Sequence, residues 1–228
     1  FLVAARAEDP ACVLFADEAA PRVESEWRRG RPVGFYWTEG NRGVGWAVGA
    51  VPTLKGGSGL GIPSAPAVLL PNGRVVTPSL QAAERLQGSP DYWTAPAERV
   101  VPGRYRWRMV GNAVSVRAAE WLGRRVAEPG VFDAGRLDRV LGVGDGWPPA
   151  ACGGRGRRQA VRIGEWPERV AVEPIERFLG DAKPLSMRAT AGFVSRAERA
   201  QRDGKLAFPA GFLERLHAHA EAMRAVAV

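Results

Sequence analysis

Only two cysteines, Cys12 and Cys152, and two histidines, His217 and His219, occur among the 228 residues. Two cysteines build no disulfide framework, and so few thiols and imidazoles leave no zinc set. His217 and His219 stand two apart on a helical stretch and point to different faces, which argues against a shared metal. Lysine is scarce too: Lys55, Lys183 and Lys205 are the only ones among 32 basic residues. No apolar run approaches a membrane span, and the first residues lack the basic-then-apolar pattern of a secretory signal. These absences point to a cytoplasmic protein without a membrane partner or a bound metal. There is no initiator Met either. The chain begins Phe1-Leu2-Val3-Ala4-Ala5, which reads as a buried strand and as a cut through a larger protein.

What is present is ample material for a core: 46% hydrophobic residues and eight Trp, with 25% charged. One large domain or two small ones would fit. The formal charge of +8 and a pI near 10.4 favour a polyanionic partner without choosing which one. The bias to arginine suits bidentate phosphate contacts, and a GC-rich coding sequence explains it equally well.

Phe1–Ala5 and Cys12–Phe15 are short apolar stretches that read as two strands, or as a strand and a short helix. From Gly30 to Ser64 the chain is rich in glycine, with Phe35, Tyr36, Trp37 and Trp46 interspersed, a texture of twisted strands and loops whose backbone approaches something closely. Ala67–Leu70 and Arg74–Val76 flank Pro71-Asn72-Gly73, and Asn-Gly is a strong hairpin signal. Thr77-Pro78 then reads as an N-cap with proline at the first helical position. Leu80, Ala83 and Leu86 recur at helical spacing until Gly88 stops the run. Tyr105–Met109 reads as a strand, and Val116, Ala119, Leu122 and Val126 as an amphipathic helix closed by Pro129-Gly130. Asp133–Leu141, Glu173–Leu179, Ser195–Arg202 and Pro209–Ala227 read as further helices. There is no internal repeat.

Two blocks carry a family resemblance. Thr77-Pro78-Ser79-Leu80-Gln81-Ala82-Ala83-Glu84-Arg85-Leu86-Gln87-Gly88-Ser89-Pro90-Asp91 resembles the ninth conserved block of the DNA (cytosine-5) methyltransferases, with Ser89 where the family usually has Phe. Gly111-Asn112-Ala113-Val114-Ser115-Val116 resembles the tenth, which in that family lies beside the S-adenosylmethionine pocket. A third, softer match is Val51-Pro52-Thr53-Leu54 before Lys55-Gly56-Gly57-Ser58-Gly59: the family's target-recognition region ends in a Thr-Leu pair followed by a Gly-rich loop. The resemblance covers roughly residues 1 to 127. It implies an α/β fold: part of a Rossmann-like methyltransferase domain, an irregular strand-rich recognition region, and a helical C-terminal extension. Its boundaries are residues 1–19 for the end of the catalytic-domain sheet, 20–76 for recognition, 77–130 for helices completing the catalytic domain, and 131–228 for the extension.

The resemblance further implies that Thr53, Leu54, Lys55, Gly56, Gly57, Arg42 and Arg85 meet double-stranded DNA, and that Gly111, Asn112 and Ala113 meet S-adenosylmethionine. Asn112 reads as the cap at the entry to the tenth-block helix, presenting its amide and a backbone N–H. Bare glycines let backbone approach bases, and an enzyme that must flip a cytosine out of the stack needs such loops. The catalytic apparatus is missing. The family uses a nucleophilic Cys after Pro, a Glu-Asn-Val segment and a Gly-rich cofactor loop, whereas Cys12 and Cys152 each follow alanine. No catalytic residue is therefore assigned to this chain. The expected partner is an N-terminal catalytic half, in the same protein or in a split bacterial restriction-modification enzyme, and apolar surface should be exposed where it packs. The competing readings are a non-catalytic DNA-binding remnant and an assembly module. Arg155, Arg157, Arg158 and Arg162 form a basic cluster that suits either DNA phosphate or solvent. Arginines near Cys152 would lower its thiol pKa. Phe212, Leu213, Leu216 and Met223 form an apolar stripe for packing on the domain or on a partner.

Overall fold

The computed structural model describes residues 1–19, 30–38, 45–57, 64–154 and 156–226. In chain order its elements are α1 (Ala11–Leu14), β1 (Val33–Tyr36), β2 (Trp46–Val48), β3 (Pro66–Leu69), β4 (Val75–Thr77), α2 (Leu80–Leu86), α3 (Arg106–Asn112), α4 (Val116–Ala127), β5 (Leu137–Val140), β6 (Ala151–Gly154), β7 (Arg157–Val161), β8 (Lys183–Pro184), α5 (Met187–Arg202) and α6 (Phe212–Val226). They divide into two compact units: Phe1–Glu24 with Arg117–Val172, and Ser25–Val116 with Glu173–Val228. The mixture of helix and sheet matches the expected α/β class. Every strand pairing among the described residues is antiparallel, so the parallel sheet of a Rossmann-like domain is not among them.

The larger unit is a five-stranded sheet in the order β2-β1-β3-β4-β8. Its β3–β4 hairpin forms where the Asn-Gly pair predicts it. Asn72 Oδ1 accepts from the Arg74 N–H at 3.0 Å, and Gly73 takes φ +87°, which a side chain would resist. Strand alternation sends Val33, Phe35, Ala67, Leu69 and Val75 to one face and Val68 and Val76 to the other. Both faces are covered. Ile175, on a 3-10 turn at Ile175–Phe178, packs with Val68 and Val76. The opposite face meets α5 and α6, whose Phe193, Val194, Ala197, Phe212 and Leu216 recur at helical spacing. Phe35 lies 4.5 Å from Phe193 and 5.5 Å from Phe212 between ring centroids, each pair worth about 0.5–1.5 kcal/mol beyond its burial. The residues read as a C-terminal extension thus supply half of the core beneath the strands read as a recognition region.

His219 on α6 also belongs to this core. Its Nδ1 accepts from the Val75 N–H at 3.3 Å, and its Nε2 donates to the Leu185 carbonyl at 2.9 Å. Leucine at 219 would strand both backbone groups in a buried place. A loss of about 1–3 kcal/mol in urea denaturation is expected, and an unchanged midpoint would refute the bridging role.

The smaller unit holds the sheet β5-β7-β6 with α1 and α4. Gly156, at φ +81°, closes the β6–β7 hairpin. Trp121 of α4 is buried, and Arg125 pairs with Asp17 at 3.1 Å while Arg136 reaches the Phe15 carbonyl at 2.7 Å.

Several local expectations need correction. Phe1–Ala5 is not a strand, and Leu2 is 94% exposed. Within Asp133–Leu141, a 3-10 turn at Ala134–Arg136 leads into β5, because the next residues pair with β7 rather than with their own backbone. Glu173–Leu179 forms only the 3-10 turn. Tyr105–Met109, rich in residues of high β-propensity, lies mostly in helix α3, where burial of Arg106 and Val110 outweighs local preference. Ser79, not Thr77, caps α2: its Oγ accepts from the Ala82 N–H at 3.0 Å, while Thr77 ends β4 and donates to the Pro66 carbonyl. Helix α5 starts at Met187, capped by Ser186, well before Ser195.

Candidate functional site

In the larger unit the segment from Val51 to Gly57 runs against α3. Leu54 anchors it in a small core with Ala83 and Val110, flanked by Leu80, Leu86 and Trp107. Beyond Leu54 the backbones touch. A Cβ on Gly111 would lie 2.0 Å from the Lys55 carbonyl carbon and 2.2 Å from the Gly56 nitrogen; one on Gly56 would lie 2.5 Å from Asn112 Oδ1. Two glycines facing each other are what permit this approach. Tyr36, at the end of β1, ties the same segment to the sheet. Its hydroxyl donates to the Thr53 carbonyl at 2.8 Å, and the Lys55 ammonium sits 4.3 Å from its ring centroid, a cation–π contact.

Beside this contact is a cavity of about 270 Å³ walled by Val51–Leu54, Leu86, Gln87, Gly111, Ala113 and Ser115. Gln87 builds its floor: Nε2 donates to the Val110 and Ala113 carbonyls at 2.8 and 3.3 Å, satisfying the C-terminal end of α3. The Gln87 carbonyl accepts from the Val116 N–H at 2.8 Å, and Gly88, at φ +89°, lets Val116 pack close. Asn112 needs correction here. It is the last residue of α3 rather than the cap of the following helix, and its amide oxygen faces Gly56. Gly111 and Ala113 line the cavity.

The same unit holds a buried charge network. Glu84 Oε1 accepts from the Thr94 N–H at 2.8 Å, from the Thr94 hydroxyl and from Arg106 at 3.1 Å; Arg106 also meets Glu98 at 2.7 Å. Burial alone would raise the Glu84 pKa. Hydrogen bonds from the Thr94 hydroxyl and N–H, Arg106 and the Tyr92 N–H together bring it below the ordinary carboxylate value. Tyr92 pays for its place with φ +63°, uncommon for a bulky residue. The loop so held shows Tyr92 and Trp93 to solvent at 61% and 66% exposure, and Val100, Met109 and Val114 nearby in sequence are exposed as well.

Of the residues read as DNA-facing, Thr53, Leu54, Lys55, Gly56 and Gly57 are consecutive on the segment against α3, and Leu54 is buried there. Arg42 lies outside the described residues. Arg85 is engaged elsewhere: it pairs with Asp91 at 2.6 Å and Asp181 at 3.5 Å and donates to the Phe178 carbonyl. Sequence reading missed Gln87, Glu84 and Arg106 as site builders. Glu84 had a signal, since it falls four residues after Leu80, on the apolar stripe of its helix.

Charge separates by unit. The larger unit's sequence has 20 basic against 12 acidic residues, the full +8, and the smaller has 12 of each. In the smaller unit Cys152 sits on β6, and its thiol pKa is raised, first by burial and then by Asp9, contrary to the lowering expected from nearby arginines. Iodoacetamide at neutral pH should modify it more slowly than a free cysteine; faster labelling would overturn the assignment. Among the described residues no group of His, Cys, Asp and Glu could hold a metal ion, and no helix is long and apolar enough to cross a membrane.

The chain is 40% identical over 214 residues to the Type II methyltransferase M2.BsuMI of Bacillus subtilis (strain 168), a match covering 87% of this chain and 53% of that protein. The chain spans about half the length of this curated relative, along its C-terminal part, which bears out the resemblance read from the two blocks. No family model and no solved structure matches it.

Proposed function

The chain is related to the C-terminal part of a Type II methyltransferase, and from that premise we propose that it is the DNA-recognition part of a DNA (cytosine-5) methyltransferase. The enzyme acts on double-stranded DNA in the cytoplasm, as one component of a bacterial restriction-modification system. The observation that carries this reading is the packing of Thr53–Gly56 onto Gly111–Asn112. It joins the segment assigned to DNA and the turn assigned to the methyl donor into one rigid piece, so a base held by the first has a fixed position relative to the second. Preorganisation of that kind is what a flipped base requires.

S-adenosylmethionine supplies the methyl group. The cavity fits one end of it: Val51, Leu54 and Leu86 give an apolar wall, and Thr53 and Ser115 give hydroxyls. At about 270 Å³ it falls just below the roughly 300–1,000 Å³ of complete small-molecule sites. Gly111 and Ala113 line this cavity, Asn112 stands between them in sequence with its amide oxygen toward Gly56, and the remainder of the cofactor pocket comes from a segment outside this chain. That segment also carries the nucleophile, since neither cysteine here follows a proline and burial raises rather than lowers the Cys152 thiol pKa. Thr53, Lys55, Gly56, Gly57 and Arg42 bind and orient the duplex, with the positive charge of the larger unit behind them.

The test mixes this chain with a polypeptide bearing Pro-Cys and Glu-Asn-Val segments and measures methyl incorporation into cytosine. Incorporation that needs both polypeptides, and that Asn112→Ala and Thr53→Ala reduce, supports the reading. DNA binding without incorporation would point to a remnant. No DNA affinity in about 0.1 M salt, where phosphate contacts should survive, would point to an assembly module.

A further inference from the structure

A 3-10 turn at Gly103–Tyr105 runs without a break into α3, and the combined stretch has two faces. Arg106 and Val110 are buried on one of them. Arg104, Arg108 and Asn112 recur every four residues along the other, and all three are exposed. This outer face borders the segment assigned to DNA. A Cβ on Gly56 would lie 3.2 Å from the Arg108 carbonyl oxygen and 2.5 Å from Asn112 Oδ1, so the arginine row flanks the Gly56–Gly57 backbone.

Neither arginine has a carboxylate partner among the described residues. Arg104 has only the ring of its neighbour Tyr105, 5.1 Å from the guanidinium carbon. The acid nearest in sequence, Glu98, is taken by Arg106 at 2.7 Å. Other arginines of this unit are engaged in the fold: Arg85 with Asp91 and Asp181, Arg106 with Glu84 and Glu98, Arg215 with the Leu70 and Pro71 carbonyls. A solvated helix face gains from opposite charges four residues apart, whereas like charges at that spacing cost about 0.2–0.5 kcal/mol. Arg104 and Arg108 therefore do nothing for the helix that carries them. Their guanidinium forks match phosphate oxygens, and at about 5–6 Å between Cβ atoms the two long arms can follow one strand of a duplex.

We propose that Arg104 and Arg108 bind backbone phosphates of the duplex held by Thr53–Gly57. This rests on the DNA-recognition reading above. Helix α3 then has two duties: Gly111 at its end lines the cavity assigned to the methyl donor, and its outer arginines seat the DNA. Because phosphate carries no sequence information, these residues set affinity and placement rather than the choice of target.

The experiment uses the full chain and fluorescein-labelled duplexes of several unrelated sequences, with affinity read by fluorescence anisotropy across a range of salt. Arg104→Gln and Arg108→Gln are each expected to lower the slope of log affinity against log salt by about 0.9, a loss of about eightfold at about 0.1 M salt that fades toward about 1 M. The loss should be alike for every duplex. Arg108→Lys, which keeps the charge, should retain the slope. Both positions are exposed, so thermal melting, followed in parallel, should not change. Arg224→Gln on α6 removes the same charge from another element and should leave the slope alone; an equal drop there would mean diffuse attraction and overturn the inference. Glutamine variants that keep the wild-type slope would also overturn it, and if they instead lost association with the Pro-Cys polypeptide, the arginine row would belong to that contact. Each of these outcomes leaves DNA recognition standing. Failure of the wild-type chain to bind any duplex would overturn the DNA-recognition reading and this inference with it.

Discussion

Alanine at Glu84 is expected to destabilise the larger unit by about 3–5 kcal/mol, the range for a buried ion pair that loses one partner. Glu84 is fully buried, and its removal leaves Arg106 with Glu98 as its remaining carboxylate and Thr94 with two donors unaccepted. The sign of the pH dependence follows from the lowered pKa. A carboxylate whose folded pKa lies below its unfolded one contributes stability that is fully present above the unfolded value and is lost as pH falls through the folded value. In urea denaturation the gap between wild type and Glu84→Ala should therefore be widest near neutrality and shrink in acid, below the ordinary carboxylate range. A gap independent of pH would mean that lost packing, not lost charge, is responsible. Because Glu84 also holds the Tyr92–Thr94 loop, fluorescence of the exposed Trp93 should shift in the variant.

Alanine at Gly111 should also be severe, by about 3 kcal/mol, the upper part of the usual overpacking range. Two effects compete at this position. Alanine in place of glycine inside a helix gains about 0.5–1 kcal/mol. Against this, the new Cβ would sit 2.0 to 2.3 Å from three atoms of the Lys55–Gly56 backbone, none of which is the movable end of a side chain. The clash wins, and either α3 or the Thr53–Gly56 segment must move. Under the proposed function, methyl incorporation should fall further than stability alone accounts for, since the DNA-facing segment and the cofactor wall then lose their register. A variant as stable and as active as wild type would show that this close approach is dispensable.

Features governed by neighbours in sequence were legible from it. The hairpin at Asn72-Gly73, the stop at Gly88, the amphipathic α4 and the final helix all follow from turn chemistry or from period. Features governed by distant partners were not. Nothing near Tyr105–Met109 announces that Arg106 is drawn to Glu84 and Glu98, so a β-prone stretch read as strand folds as helix. Nothing near Arg85 announces Asp181, almost a hundred residues on, so a guanidinium read as DNA-facing is found in ion pairs. The candidate site divides the same way. Its two halves, Thr53–Gly57 and Gly111–Ala113, were named through family resemblance, whereas their direct contact depends on a fold that local pattern does not encode. The second half of α5 and the whole of α6 were read as helix, but the sheet they cover was not, because an apolar stripe says that something is covered without saying what.

The larger unit is discontinuous in sequence, and that bears on how the chain is made. Val76 of β4 pairs with Pro184 of β8, and Phe35 waits for Phe193 and Phe212. While the intervening stretch is still being translated, β1, β3 and β4 have no helical cover, and they must avoid other chains until α5 and α6 have emerged. Long loops closed late slow folding and prolong the period in which aggregation competes. Synthesis speed and chaperone supply should therefore affect the yield of this protein more than they affect chains whose cores close as they emerge.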